Sequence, residues 1–290
     1  EAGLPDGLLQ VVNGDKEVVD AILSSEQVKG VSFVGSSPVA EYVYETAAAK
    51  HKRVQALGGA KNFMVVMPDA DREHASQAIA ASAFGCAGER CLAGSIALAV
   101  GDSHEWLRDG LRRCAQEIRV GDGLQEGITM GPVISASHRD KVLGYVEQGV
   151  SEGAELIHDG RQNQQPDGGF FVGPCLFDQV TPEMVIGKEE IFGPVLCIMK
   201  ADSLDDAMAI IAQQPLANAS SIFTTSGKAA RQFKYDVEAS MAAVNIGVPA
   251  PMSYFSFGGA KGSFFGDLKA HGREAFDFYT DRKVLMSRWN

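Results

Sequence analysis

A cysteine within a run of small residues is the first candidate for covalent chemistry in this sequence. Residues 84–95 read FGCAGERCLAGS. Small residues let a substrate approach the backbone closely, and Arg90 is expected to lower the pKa of the adjacent Cys91 thiol and so favour the nucleophilic thiolate. The alternative is that Cys91 is a small buried hydrophobe, as most cysteines are. Cys86 has no charged neighbour and is assigned to packing.

A second candidate segment places two carboxylates just before an aromatic residue. Residues 187–194 read GKEEIFGP. A carboxylate such as Glu190 can accept hydrogen bonds from ribose hydroxyls, and an aromatic ring such as Phe192 can line a flat ligand. The alternative is a solvated charged turn with Phe192 packed in the core, and the segment taken alone favours that alternative.

Two glycine-containing turns complete the candidate set. Gly35, Ser36 and Ser37 lie between a predicted strand and a predicted helix, and a helix N-terminus reached through glycine can bind an anion. This turn is not a G-x-G-x-x-G fingerprint, so a plain turn is the alternative. The pair Gly58-Gly59 separates two predicted strands and is either a crossover between domains or a bend.

These segments need a framework of alternating strands and helices to position them. Apolar runs predict strands near 31–34, 53–57, 63–67, 95–100, 155–157, 176–180, 195–199, 220–225 and 241–245. Most are separated by helical patterns, including one that Ser37 is expected to cap, with Pro38 at its first position. This alternation predicts an α/β fold with a mainly parallel sheet. Residues 276–289 are also predicted to be β-like.

Composition excludes several classes of protein. The chain has 290 residues, 45% of them hydrophobic, and a formal net charge of −11, with a pI near 5.0, which argues against a nucleic-acid partner. No apolar run reaches the roughly 20 residues of a membrane-spanning helix. No signal peptide is visible, so a cytoplasmic location is expected. Five scattered cysteines without a C-x-x-C pair and six dispersed histidines predict neither a disulfide framework nor a metal site.

In their order and spacing, these segments resemble the aldehyde dehydrogenase superfamily over essentially the whole chain. The most specific motifs are GERC at 88–91 and EEIFGP at 189–194, with support from FVGS at 33–36, MGPVIS at 130–135 and FGGAK at 257–261. The resemblance implies that Cys91 is the nucleophile and that the cofactor is NAD. It further implies a set of cofactor-binding residues: Glu190 at the nicotinamide ribose, Phe192 beside the nicotinamide ring, Gly35 and Ser36 at the pyrophosphate, and Leu57 near the nicotinamide.

Within the superfamily, the chain is most similar to the CoA-acylating methylmalonate-semialdehyde dehydrogenase branch. The stretch ALGG at 56–59 lacks the general-base Glu of hydrolytic members, and Arg90 directly precedes the nucleophile, although this branch usually has Gln where the chain has Glu89. The resemblance implies oxidative decarboxylation of malonate semialdehyde or its methyl homologue, with acyl transfer to coenzyme A as co-substrate. It also implies that Arg90 binds the substrate carboxylate and that the protein is a homodimer or homotetramer.

The expected architecture follows from the same resemblance. It is an aldehyde dehydrogenase fold with a partial Rossmann-like cofactor domain (residues 1–57), a complete α/β catalytic domain (58–262) and a C-terminal segment with an oligomerisation strand (263–290). Full-length members carry a long N-terminal portion that these residues do not match. The chain is therefore expected to be a C-terminal fragment that binds NAD poorly and has little activity.

Three alternatives remain open at this stage. The first is a hydrolytic aldehyde dehydrogenase that releases a free acid, against which the absence of Glu at position 56 argues. The second is a catalytically silent assembly domain, for which residues 283–288 are a plausible intersubunit strand. The third is an unrelated thiol hydrolase, which needs a histidine near Cys91 that the sequence does not indicate.

Overall fold

The fold is known from a computed structural model that describes residues 3–162 and 168–290; residues 1 and 2 of the predicted first domain lie outside this description. Within these ranges the helices are α1 (Lys16–Ser24), α2 (Ser37–Ala48), α3 (Arg72–Phe84), α4 (His104–Glu117), α5 (Ala136–Ser151), α6 (Val185–Lys188), α7 (Leu204–Ala212), α8 (Gly227–Asp236) and α9 (Gly272–Tyr279). The strands are β1 (Gly30–Val34), β2 (Arg53–Leu57), β3 (Asn62–Val66), β4 (Gly94–Val100), β5 (Glu155–His158), β6 (Cys175–Asp178), β7 (Val195–Ala201), β8 (Leu216–Ala217), β9 (Ala219–Phe223), β10 (Met241–Val244), β11 (Ala260–Lys261) and β12 (Phe264–Phe265).

The larger sheet has seven strands in the order β10-β9-β3-β4-β7-β6-β5. Its neighbouring strands run parallel except at the edge, where β5 is antiparallel to β6. Every residue of β3 is buried, as expected for a central parallel strand that helices cover on both faces. The main hydrophobic core surrounds this sheet and includes apolar residues of α3, α4 and α7.

The smaller sheet has three strands in the order β1-β2-β12. Strands β1 and β2 are parallel, and β12 runs antiparallel to β2, with Phe264 opposite Leu57. The C-terminal segment therefore returns to the sheet formed near the start of the chain. A small core of Leu23, Val43 and Ala47 packs here, and no residue of β1 is fully buried.

The expectation of an α/β fold with a mainly parallel sheet is confirmed. The prediction of a β-like segment at 276–289 is wrong for residues 276–279, which belong to helix α9, and residues from 280 onward form no strand within this chain. Aromatic residues favour strands in general. Here, however, Phe278 is buried while Phe276 and Tyr279 are exposed, which is the pattern of a helix with one buried face.

The described residues also limit what the fold can contain. All five cysteines are free thiols. In the described ranges, no group of three or more His, Cys, Asp or Glu side chains could hold a metal ion. No helix there has the length and apolar character needed to cross a membrane.

Candidate active site

Cys91 lies in the connection between α3 and β4. Helix α3 ends at Phe84 and continues into a short 3-10 turn, in which Cys86 and Ala87 both have a φ of 52°. Gly88 follows with a φ of 72°. A Cβ on Gly88 would lie 2.1 Å from the carbonyl oxygen of Gly193. Glycine at this position therefore lets the loop of the predicted nucleophile (residues 85–93, called the nucleophile loop) contact the segment that carries Glu190 and Phe192.

Two asparagine side chains hold the backbone of Cys91. The Cys91 carbonyl oxygen accepts hydrogen bonds from Asn62 Nδ2 at 3.0 Å and Asn218 Nδ2 at 2.8 Å. Asn62 also donates to Ala93 O and accepts from the backbone N–H of Ala219. The nucleophile loop is thus anchored to β3 and to the start of β9. This role was not predicted from the sequence. The feature that could have indicated it is a polar residue at the buried start of an apolar strand.

The environment of the Cys91 thiol differs from the expectation. Burial raises the pKa of the thiol, and the negative charge of Glu190 raises it further. The backbone N–H groups of Cys91 and Leu92 lower this pKa, and Arg90 has a smaller lowering effect. Arg90 lowers the pKa of Cys91 as predicted, but the expected net lowering is wrong, because desolvation of the thiol outweighs the neighbouring charge.

The Arg90 side chain points back towards helix α3. Its Nη2 donates to Ala81 O at 2.8 Å and to Ser82 O at 3.3 Å, which places a cation at the negative end of the helix dipole. A Cβ on Gly85 would lie 2.1 Å from Arg90 Nη2. The Nε of Arg90 is buried and has no hydrogen-bond partner among the described residues. Arg90 does not pair with Glu89, so this N–H remains a donor for another group.

Glu190 packs directly over the glycine pair of the turn between β2 and β3. Its Oε1 accepts from the backbone N–H of Ala60 at 2.9 Å, and a Cβ on Gly59 would lie 2.4 Å from Oε2. Burial raises the pKa of Glu190, while Ala60 N–H, Lys61 and Lys141 lower it. Gly59 thus provides the space in which this carboxylate lies.

Lys61 is a fully buried cation beneath the same loop. Its Nζ donates to Ile186 O and Glu189 O, each at 2.8 Å. Burial lowers the pKa of Lys61, and the nearby Cys197, Glu190 and Glu189 raise it. Through these two hydrogen bonds, Lys61 links α6 and the segment before Glu190 to β3. No role for Lys61 was evident from the sequence.

Phe192 does not pack into the core. Its side chain is 38% exposed and its φ is 57°, a left-handed conformation that is uncommon outside glycine. The alternative of a core-packed Phe192 is therefore wrong. Arg90, Glu190 and Phe192 line one small cavity of about 10 Å³ together with Lys61 and Asn62. The structure thus brings three of the predicted site residues to one place.

The turn at Gly35 joins the same region from the smaller sheet. The N–H of Gly35 donates to Leu57 O at 3.0 Å. Helix α2 begins at Ser37, so Ser36 is the N-cap and Pro38 the second helical position, one residue earlier than predicted. The Ser37 hydroxyl instead accepts from Gly59 N–H at 3.0 Å and donates to Gly262 O at 2.7 Å. Through Ser37 and Gly59, the predicted anion turn lies next to Glu190.

Comparison with known proteins identifies the family. A model of the aldehyde dehydrogenase family matches residues 1–285, and the chain belongs to this family. It is 48% identical over 289 residues to malonate-semialdehyde dehydrogenase from Halalkalibacterium halodurans, covering 100% of this chain and 60% of that protein. The family expected from the sequence is therefore confirmed.

Solved structures agree with this assignment. Methylmalonate-semialdehyde dehydrogenase from Oceanimonas doudoroffii has a TM-score of 0.97 and 49% identity, with 99% of this chain and 60% of that chain covered. The aldehyde dehydrogenase of Mycobacterium tuberculosis complexed with NAD⁺ has a TM-score of 0.92 and 31% identity, with 98% and 58% covered. The chain spans about 60% of the length of the relatives it matches.

Proposed function

We propose that this chain carries the reaction site of an NAD-dependent dehydrogenase that oxidises malonate semialdehyde or its methyl homologue and transfers the acyl group to coenzyme A. The observation that supports it most directly is the placement of Cys91. Its loop is fixed by two asparagines and contacts the segment that carries Glu190 and Phe192. Relatives of about 50% identity are named malonate-semialdehyde dehydrogenases.

The described residues fit the cofactor at several points. Glu190 is held over Gly59 by Ala60 N–H, which suits a carboxylate that accepts ribose hydroxyls. The half-exposed Phe192 ring suits a flat neighbour. Ser36 at the N-terminus of α2 suits a phosphate oxygen. When bound, NAD would supply the hydride acceptor.

The chain's own residues would act in a defined order. The Cys91 thiol loses its proton to solvent and its Sγ attacks the aldehyde carbon, while the backbone N–H of Cys91 donates to the developing oxyanion. The unpartnered Nε–H of Arg90 would donate to the substrate carboxylate. Loss of hydride leaves a thioester on Cys91. The C–C bond to the β-carboxylate then breaks, carbon dioxide leaves, and the carbanion takes a proton.

The final transfer depends on the residue at position 56. Ala56 is fully buried on β2, so no carboxylate from this position activates water. Thiolates attack thioester carbonyls readily, and coenzyme A would release the acyl group from Cys91 as acetyl-CoA or propionyl-CoA. Hydrolysis, which requires a general base to activate water, would be slow.

Product analysis with and without coenzyme A tests this proposal. Because the chain is expected to bind NAD poorly and to have little activity, the expected result is a small amount of NADH and acyl-CoA with coenzyme A present, and less free acid without it. Rapid release of free acid in the absence of coenzyme A would instead support the hydrolytic alternative. A complete lack of NADH formation, with Cys91 still open to alkylation, would support a catalytically silent domain.

We further propose that the active form is a homodimer or homotetramer. The C-terminal residues that follow α9 expose large apolar side chains, with Leu285 84%, Met286 90% and Trp289 91% exposed. Such a run of exposed apolar residues is typical of an interaction surface. Sedimentation of the chain with and without residues 283–290 tests this proposal, and a monomer in both cases would contradict it.

A further inference from the structure

The carboxylate of Glu89 has partners that the reaction scheme does not use. Glu89 directly precedes Arg90 and Cys91, yet its Oε1 accepts from the backbone N–H of Ile134 at 3.1 Å. The same oxygen lies 3.3 Å from Nε2 of His138. The side chains of Glu89 and His138 are only 15% and 16% exposed, so both groups are largely withdrawn from water and a polar contact between them is favourable.

His138 continues this contact to the segment that carries the exposed aromatic ring. It lies in the first turn of α5, and its Nε2 is 2.6 Å from Phe192 O. The rings of His138 and Phe192 are edge to face, with centroids 6.2 Å apart. Both neighbours of Nε2, a carboxylate and a carbonyl oxygen, can only accept hydrogen bonds. The hydrogen must therefore be on Nε2, which donates to Phe192 O, while the Glu89 carboxylate lies 3.3 Å from the same nitrogen.

We propose that Glu89 and His138 are positioning residues that lock the nucleophile loop to the segment of Phe192. The lock holds Phe192 in its left-handed conformation, with a φ of 57°, and fixes the exposed ring relative to Cys91. The functional meaning of this lock rests on the proposed roles of Cys91 and Phe192. The contacts themselves, and the test below, do not depend on those roles.

A second observation explains why a side-chain lock is needed. The two segments already touch where Gly88 meets Gly193 O. This contact involves no side chain, so it does not fix the orientation of one segment relative to the other. Cys91 is held by the side chains of Asn62 and Asn218, whose hydrogen bonds go to Cys91 O and not to Phe192. Within the described residues, the path from Glu89 through His138 to Phe192 O is a directional link that starts from the nucleophile loop itself.

The branch that this chain resembles usually has Gln at the position of Glu89, and this provides a conservative variant. An amide oxygen can accept from Ile134 N–H and from His138 Nε2 as the carboxylate does. Glu89→Gln is therefore expected to keep the lock. Glu89→Leu removes the oxygen that accepts from Ile134 N–H and lies beside His138 Nε2. His138→Leu removes the donor to Phe192 O.

Hydrogen exchange followed by mass spectrometry tests the lock without cofactor or substrate. In Glu89→Leu, we expect amide exchange of the peptide 189–195 to rise about tenfold, as for the loss of one net hydrogen bond. His138→Leu should give a similar rise, and the double variant should add little to either. Glu89→Gln should stay within about twofold of the unchanged chain, because it keeps the acceptor.

A matched control uses a different buried histidine–carboxylate pair. His104 Nε2 lies 2.8 Å from Asp178 Oδ1, and these side chains are 13% and 2% exposed. His104→Leu should lower stability without a selective rise in exchange at 189–195. The proposal is overturned if His104→Leu has the same effect there, if Glu89→Leu changes only its own loop, or if Glu89→Gln is as disruptive as Glu89→Leu.

Turnover separates this inference from the proposed reaction. If the chain oxidises aldehyde with NAD, Glu89→Leu and His138→Leu should raise the KM for NAD several-fold. The rate of Cys91 alkylation should stay within about twofold, since Asn62 and Asn218 still hold its loop. Absence of turnover would contradict the proposed function alone, and the exchange data would still decide the lock.

Discussion

The two main sheets differ in how completely their strands are covered. All five residues of β3 in the seven-stranded sheet are buried, whereas β1 in the three-stranded sheet has none, and Val34 at its end is 65% exposed. We call the well-covered seven-stranded sheet the closed sheet and the three-stranded sheet the open sheet. The proposed nucleophile, Cys91, is anchored on the closed sheet through Asn62. The turn at Ser36, where a phosphate would bind, extends from the open one. We infer that the nucleophile is placed more rigidly than the cofactor turn.

The largest effect is expected from replacing the proposed nucleophile, whose loop is anchored on the closed sheet. Cys91→Ser replaces a thiol with a far weaker nucleophile, so NADH formation should fall at least about a thousandfold. The measurement is steady-state NADH production from malonate semialdehyde. Cys86→Ser is the matched control, because Cys86 is exposed, contrary to the packing role predicted for it, and its carbonyl oxygen accepts from Glu89 N–H in the same loop. Equal losses in both variants would remove the basis for assigning Cys91 as the nucleophile.

Matched truncations compare the stability of the two sheets directly. Val65→Ala on β3 removes two methyl groups from a residue that is 0% exposed and should lower the free energy of unfolding by about 2 kcal/mol. Val34→Ala on β1, which is 65% exposed, should cost less than about 0.5 kcal/mol. Urea unfolding followed by circular dichroism measures both free energies. Similar losses of stability in the two variants would contradict the proposed difference in burial between the sheets.

The pH dependence of Cys91 alkylation tests the burial of the site. Because burial raises the pKa of the Cys91 thiol above its usual value of 9.0, the thiolate fraction at a given pH is smaller than for a hydrated cysteine. Its iodoacetamide rate should therefore still rise with pH above 9.0. In urea, where the thiol is hydrated, the same profile should move to lower pH. A profile that reaches its plateau below pH 9.0 in the folded chain would show that neighbouring charges outweigh burial.

The closed sheet was also easier to predict from sequence. The run NFMVV is apolar over nearly its whole length, and the structure places it as buried β3. The segment that begins at residue 276 is as rich in aromatic residues as a typical strand. It nevertheless belongs to a helix, in which Phe278 is the buried residue. Local composition predicts an element well where burial is continuous, and poorly where one contact decides.

The candidate site shows a similar limit. Its residue types were evident from motifs, but their partners come from distant parts of the chain. Glu190 binds Ala60 N–H across 130 positions, and Asn218 reaches Cys91 O across 127. The direction of the Arg90 side chain, and hence its small effect on the Cys91 thiol, also depends on tertiary structure. Sequence spacing carries no information on such contacts.

The smallest expected effect concerns the junction between the two sheets. The Ser37 hydroxyl lies between Gly59 N–H and Gly262 O, so it links the start of α2 to the turn that leads into β3. Ser37→Ala should lower the free energy of unfolding by about 1 kcal/mol, because both backbone groups lose this partner. Ser36→Ala is the matched control: Ser36 is exposed and its side chain makes no capping hydrogen bond, so the expected change is below about 0.5 kcal/mol.

Two outcomes decide what the hydroxyl does. If Ser37→Ala also weakens the binding of NAD measured by calorimetry while Ser36→Ala leaves stability unchanged, the proposed cofactor turn of the open sheet depends on its link to the closed sheet. If Ser37→Ala changes neither quantity, the two sheets are joined by other contacts and the hydroxyl bridge is incidental.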